Sequence, residues 1–361
     1  AAAQANVNLF LTGGAVRDML GGFPVRDLDF TVEGSALRLA KVVAERTRAR
    51  ITAVDEDRES SDLVFPSGVT AEIAAARQER YLKPGGRPVV TPATIREDLL
   101  CRDFSINAMA LSLNRASLGL LLDPNNGLAD LERRELRTIN SRVLYDDPSR
   151  LLRLVRFRVR FGFTVETRTQ QQYESSRAEE MERLVPARRL FEELRAIASE
   201  ANPADVLVAF EQEKLLHLFS PALAGAKLNL AGLTRLHRIR QLIPFGVELP
   251  VNNLAVFLYL LTERLSPSEK STLIKSTAMH KSEAELPVKA VAAARRLERG
   301  LRSSKVSKAS QVYQVLHAAP GEEILLLYLI SQQRIVQDRI RNYLQKYLPA
   351  SQEITDDQVS A

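Results

Sequence analysis

The sequence predicts an α+β protein, with an α/β head over residues 1–140 and an all-helical remainder. Three observations predict it. Short apolar and β-branched runs, broken by Gly and Pro, crowd the first 140 residues. From about residue 141 onward apolar residues recur at helical spacing and glycine becomes sparse. Pro203, Pro221, Pro244, Pro250, Pro267 and Pro287 then cut that remainder into short helices. A chain of 361 residues has room for more than one core. The expected division is a head (1–140) and three helical segments, 141–205, 206–270 and 271–361.

Leu9-Phe10-Leu11 reads as the first strand, followed by a Gly13-Gly14 turn and a helix-like stretch from Arg17 to Gly21-Gly22. Asp27 to Val32 reads as the second strand. Ala49–Val54, Asp62–Phe65 and Val69–Ala74 follow as strands, the last two separated by Pro66-Ser67-Gly68. Arg77 to Pro88 is basic, glycine-broken and too long for a hairpin turn, so its composition predicts a loop. Residues 105–113 and 118–122 supply two more strands, and Asp123-Pro124-Asn125-Asn126-Gly127 a turn. Helical periodicity sets in after Asp147-Pro148.

Composition narrows the function. Hydrophobic residues make up 45% and charged residues 26%, ordinary for a water-facing protein. The longest apolar runs, such as Ile324–Ile330, are far too short to span a bilayer, and no basic-apolar-small signal opens the sequence. A single Cys excludes an intrachain disulfide and fits a reducing compartment, so a cytoplasmic location is expected. His217, His237, His280 and His317 have no metal-ligand spacing, which leaves zinc and Ser-His-Asp chemistry unsupported. The net charge of +6 fits a polyanionic partner. With no Trp and 6% aromatics, backbone phosphates are the expected mode of contact.

On a strand, Asp27 and Asp29 share one face while Leu28 and Phe30 point to the other. Two carboxylates beside a glycine turn and Arg17 can hold divalent cations against a triphosphate. Taken alone, an Asp-x-Asp at a strand end and a Gly-Gly turn are ordinary features. Their order and spacing, with Cys101-Arg102-Asp103-Phe104-Ser105-Ile106-Asn107-Ala108 and Asp146-Asp147-Pro148-Ser149-Arg150-Leu151-Leu152-Arg153-Leu154-Val155-Arg156-Phe157 downstream, resemble the class II tRNA nucleotidyltransferases and bacterial poly(A) polymerases.

The resemblance implies a nucleotidyltransferase head followed by a helical neck, body and tail, the tail binding tRNA. It implies that Gly13, Gly14 and Arg17 cradle the triphosphate and that Asp27 and Asp29 hold Mg²⁺. Glu72 completes a catalytic carboxylate trio in a two-metal site, with ions about 3.5–4 Å apart. By itself Glu72 reads as an edge-strand acid facing solvent. Arg102 and Asp103 take the ribose-binding positions, although Cys101 stands where the motif usually has Arg. The Arg77–Pro88 segment matches the family's flexible loop, which helps switch from C to A addition. Asn107 reads as a brace for the local backbone.

Asp146, Asp147 and Arg150 match the family's amino-acid template for the incoming base, Asp146 standing where Glu is usual. Cytosine N4 and adenine N6 both donate, and the adjoining ring nitrogens both accept, so an Asp–Arg edge complements both. Guanine and uracil would leave polar groups unpaired, at about 1–3 kcal/mol per contact. Asp147 ahead of Pro148 reads equally well as a helix N-cap. Arg153 and Arg156 fall on the same stripe, either a phosphate-binding or a solvated face. Arg295, Arg296, Arg299, Arg302, Lys305 and Lys308 form a second basic run with the same two readings. The activity implied is transfer of CMP, CMP and AMP from CTP and ATP to the tRNA 3′-OH without a nucleic-acid template, by a monomer or weak dimer. Addition of A alone, poly(A) tailing and an inactive RNA-binding module are the alternatives.

Overall fold

The computed structural model describes residues 2–353. The chain divides into two compact units between Pro186 and Ala187.

The first unit is built on a seven-stranded sheet of β1 (Asn8–Thr12), β2 (Leu28–Glu33), β3 (Arg50–Asp55), β4 (Ser60–Val64), β5 (Thr70–Ala75), β8 (Ala110–Ser112) and β9 (Leu121–Leu122), with β6 (Arg77–Arg80) and β7 (Val89–Pro92) apart from it. The spatial order is β3-β4-β5-β2-β1-β8-β9. Only β2 and β5 run parallel; the other neighbours are antiparallel. The helix Ala36–Thr47 starts at Ser35, whose hydroxyl accepts from the Arg38 N–H. It packs Ala36, Leu39 and Ala40 against Val32, Leu63 and Ile73 on one face of the sheet. Leu99 and Ile95, from the short helix Ile95–Leu99, cover Phe10 and Ala110.

Two expected elements differ. Residues 105–107 form a 3₁₀ turn, and the strand is confined to Ala110–Ser112. The Arg77–Pro88 segment is loop only at its tip: Arg77–Arg80 pairs with Val89–Pro92 in a separate antiparallel hairpin. Arg-Gln-Glu-Arg buries no apolar face, so it carries none of the alternation by which strands announce themselves.

The helices Val143–Asp146, Ser149–Phe161 and Thr167–Ala178 belong to this first unit, so the expected boundary near residue 140 falls inside it. Packing explains why: Phe157 meets Phe104 at 5.8 Å, and Leu151, Leu152 and Val155 are buried beside it. The change in periodicity marks a change of secondary structure, not of core.

The regular elements of the second unit's described residues, 187–353, are all helices. Phe210 stacks on Phe219 at 6.1 Å, and Phe191, Leu207, Phe257 and Leu326 are fully buried. Side-chain caps explain several starts: Asn229 accepts from Gly232, Asn252 from Ala255, and Ser266 forms a capping box with Glu269. No described helix is long and apolar enough to cross a membrane.

Candidate active site

β1 ends at Thr12 and the chain turns at Gly13, whose φ of +65° is natural only for glycine. A Cβ there would also lie 2.8 Å from Arg102 Nη1 and 3.5 Å from Asp29 Oδ2. The turn thus brings backbone against one of the sequence-predicted acids. Thr12 sits opposite Asp29 in the β1–β2 pairing, and Asp29 sits opposite Glu72 in the parallel β2–β5 pairing. Two carboxylates therefore stand side by side on neighbouring strands. Asp27 precedes β2, which begins at Leu28, and is exposed; the expectation that it shares the strand face is corrected accordingly.

Thr12, Gly13, Asp29 and Glu72 floor a cavity of about 310 Å³ whose lining also holds Thr31, Arg77, Glu79, Asp98, Cys101, Arg102, Asp103, Asn107, Arg150 and Arg153, and Asp27 is not among its lining residues. With Arg17, five arginines face five carboxylates there. Such a lining suits a ligand that carries both signs, such as a polyphosphate with its cation. Burial, then the charges of Glu72 and Asp27, push the Asp29 carboxyl up to about 6 against the pull of Arg102 and Arg17. A cation between the acids would relieve that repulsion. Among the described residues no three His, Cys, Asp or Glu side chains form a ready cage. A hard cation held here would complete its shell with phosphate oxygens and water, as Mg²⁺ commonly does. Asp29 and Glu72 are the residues that would hold it, with Asp27 at the approach.

The sign of the Asp29 shift gives a prediction. In metal-free protein the stability that protonated Asp29 contributes is complete below its ordinary value of 3.8 and is lost as pH rises through about 6. Mg²⁺ replaces the proton only above that range. The rise in Tm on adding Mg²⁺ is expected to be larger at pH 7.5 than at pH 5; equal rises would remove Asp29 from the cation site.

The remaining predicted residues divide. Arg17 lines the cavity but is 4% exposed. Its guanidinium pairs with Asp18 at 2.7 Å, donates to Asn107 Oδ1, and lies over the Phe161 ring at 4.8 Å. Arg102 donates to Asp98 at 2.9 Å and to Thr31 at 3.3 Å. Asp103 accepts from the Phe104 N–H and from Asn107 on Oδ1, and from Arg153 on Oδ2. Burial alone would push its carboxyl up, but Arg153, Arg150 and these hydrogen bonds hold it well below the carboxylate range. Asn107 thus braces side chains, joining Arg17 to Asp103, where the sequence reading had it brace backbone.

Arg150 lines the cavity, and Asp147 lies 3.8 Å from it without lining the cavity itself. Asp147 Oδ1 accepts from both the N–H and the hydroxyl of Ser149, while Pro148 takes the N-cap position of the helix, one residue later than expected. Asp146 turns away to Arg142 at 3.1 Å, and Arg156 is buried outside the lining. The cavity thus does not gather these two. The hairpin tip reaches this segment, since the Gly85 N–H donates to the Asp146 carbonyl.

Sequence reasoning missed Asp98 and Glu79. Asp98 ties Arg102 to the first residue of the hairpin by accepting from the Arg77 N–H at 3.2 Å. The i,i+4 spacing of Asp98 and Arg102 was the available signal.

Residues 9–137 match the family described as the Poly A polymerase head domain. The A-adding tRNA nucleotidyltransferase of Halalkalibacterium halodurans is 37% identical over 242 residues, covering 66% of this chain and 56% of the relative. The CC-adding tRNA nucleotidyltransferase of Deinococcus radiodurans is 40% identical over 158 residues, covering 44% and 42%. A solved tRNA nucleotidyltransferase complexed with a primer tRNA and an incoming ATP analog has a TM-score of 0.59 and 26% identity, over 97% of this chain and 98% of that one. The chain spans about half the length of these two curated relatives.

Proposed function

Because the chain belongs to the family of tRNA nucleotidyltransferases and bacterial poly(A) polymerases, we propose that it adds CMP, CMP and AMP to the 3′ end of tRNA from CTP and ATP. The observation that carries this reading is the Asp29–Glu72 pair on adjacent parallel strands, flooring a cavity rimmed by arginines. The tRNA O3′ forms a bond to the α-phosphorus, the bond from that phosphorus to the bridging oxygen breaks, and pyrophosphate leaves. Mg²⁺ bound at the carboxylates would neutralise charge on the phosphates and favour ionisation of the attacking hydroxyl. Gly13 lets backbone approach the triphosphate, and Arg17 supplies a fixed positive charge from behind the turn. Arg102 and Asp103 shape the ribose side, with Arg153 holding the Asp103 carboxylate in place.

Arg150 is the proposed donor to the base and Asp147 its anchor. Arg150→Ala is expected to reduce incorporation of C and A by about tenfold and to relax rejection of UTP and GTP. Asp147→Asn should weaken selectivity in the same direction. Incorporation of each NTP separately measures both. If selectivity stays at the wild-type level in both variants, base choice lies elsewhere.

Binding of the tRNA body is assigned to the helix Leu286–Arg302, on which Arg295, Arg296, Arg299 and Arg302 are exposed. Neutralising the first three together should lower the slope of log Kd against log salt by about 2–3. An unchanged slope returns that face to solvent.

A second reading, addition of the terminal A alone, is favoured by the A-adding activity named for the Halalkalibacterium halodurans relative. Incubation with tRNA ending at the discriminator base, tRNA-C and tRNA-CC, with CTP and ATP supplied separately, tests the proposal. Full CCA on the shortest substrate supports the first reading. A added to tRNA-CC with no C incorporation selects the second, and no addition to any substrate overturns both.

A further inference from the structure

Of 13 phenylalanines, Phe245 alone is exposed, with a relative accessibility of 105%. It stands on a tight turn: the Val247 N–H donates to the Pro244 carbonyl at 3.2 Å, and Gly246 has a φ of +83°. That places Phe245 at the outer corner of a type II turn, with glycine where the backbone requires it. The stem of the loop is fastened. Glu248 exchanges two backbone hydrogen bonds with the Gln352 side chain, at 2.9 and 2.8 Å, and the Asn252 N–H donates to Glu322 at 3.1 Å. Pro250 and Val251 close so tightly on Gly321 that a Cβ there would lie 2.4 Å from the Pro250 carbonyl oxygen. A large apolar ring is thus held out into water on a rigid support, which lowers the entropy lost on binding.

We propose that Phe245 is a stacking post for a base of tRNA left without a stacked neighbour on one face; this rests on the tRNA reading above. Size selects the occupant. A stable protein partner needs about 800 Å² per side, whereas one ring offers only about 200 Å², and Phe245 is the sole exposed large apolar residue of its loop. A nucleobase is a partner of matching area with a π face. Basic residues stand at the entry to the loop, where the preceding helix ends in His237, Arg238 and Arg240, of which Arg238 is exposed, while the loop's own single charge is Glu248. A phosphate backbone can lie along such residues while a base meets the ring.

The absence of tryptophan makes a direct test available. Phe245→Trp would create the only indole in the chain, and its emission should be quenched by tRNA but not by heparin, a polyanion without bases. Phe245→Leu, which keeps apolar bulk and removes the ring, should weaken tRNA binding about fivefold or more, while Phe245→Tyr stays near wild type. The salt slope should be unchanged in all three variants. Wild-type affinity in Phe245→Leu together with unquenched emission in Phe245→Trp, while labelled tRNA still binds, overturns the stacking post alone. Quenching that depends on protein concentration without RNA assigns the ring to self-association and overturns it as well. Failure of the wild-type chain to bind tRNA at all overturns both the post and the reading beneath it.

Discussion

Asp29→Ala is expected to lower nucleotide addition by about a thousandfold or more without unfolding the head. A cation that stabilises transition-state charge contributes several kcal/mol, and each 1.36 kcal/mol is tenfold in rate. The effect on the fold should have the opposite sign. The raised Asp29 carboxyl shows that its ionised form is held against burial and against the charge of Glu72. Removing it relieves both, so in metal-free buffer at pH 7.5 the variant should melt at or above the wild-type Tm. The gain in Tm on adding Mg²⁺ should disappear. Single-turnover assays and melting curves on the same preparation check the pair of outcomes. Activity within tenfold of wild type would take Asp29 out of the chemistry. A large loss of Tm would make its role structural.

The second large effect is at Asp103. Its carboxylate is 5% exposed and collects Arg153, Asn107 and the Phe104 N–H, while Arg150 lies close enough to hold its charge. Asp103→Ala removes the carboxylate to which Arg153 donates and frees Asn107 from one of its two side-chain partners. Removing a buried carboxylate that accepts from a charged, partly exposed partner costs about 1–3 kcal/mol. Urea denaturation should show a loss in that range, and Asp103→Asn, which still accepts hydrogen bonds, a smaller one. Arg153→Leu added to Asp103→Ala should cost less than the sum of the two single changes, because both remove the same ion pair. A loss below about 1 kcal/mol, or a double variant that is strictly additive, would show that the network is solvated and that Asp103 is free to serve the ribose alone.

These two acids also show what a sequence can and cannot reveal. The α+β division was legible because strand alternation and helical spacing are local patterns, and Val69–Ala74 or Asp62–Phe65 display them openly. That Glu72 lies beside Asp29 depends on strand order, which no local pattern encodes; as a lone acid in a strand, Glu72 reads as facing water. Asp146 misled for a related reason. Its place in the motif is right beside Asp147, but the direction of a side chain at a helix end is set by the last turn, and Arg142 four residues earlier captures it. The hairpin at Arg77 was hidden because its first strand, Arg77–Arg80, is polar on both faces. Glu79 was hidden because a single acid in a polar segment is unremarkable until the chain folds over it, and Asp98 showed only its i,i+4 spacing to Arg102.

The position of β1 in the sheet sets an order of events during synthesis. β1 is bounded by β2 on one side and β8 on the other, so Thr12 waits for Ala110, 98 positions later, before its second edge is covered. At about 5–20 residues per second that wait is roughly 5–20 seconds. Throughout it the strand that carries the Gly13 turn has an open edge, and open edges recruit foreign strands. The Met109 carbonyl, which accepts from the Gly13 N–H, and the Asn114 side chain, which accepts from the Leu9 N–H, arrive in the same late segment. Neither the proposed nucleotide nor its cation can rescue an emerging chain in that interval, because the cavity lacks Asp98, Arg102, Asp103 and Asn107 until this segment has left the ribosome, and Arg150 and Arg153 until later still. The head is therefore a protein whose ligands protect only the finished molecule, and a ribosome stalled before Ala110 should yield an aggregation-prone fragment with no affinity for nucleotide.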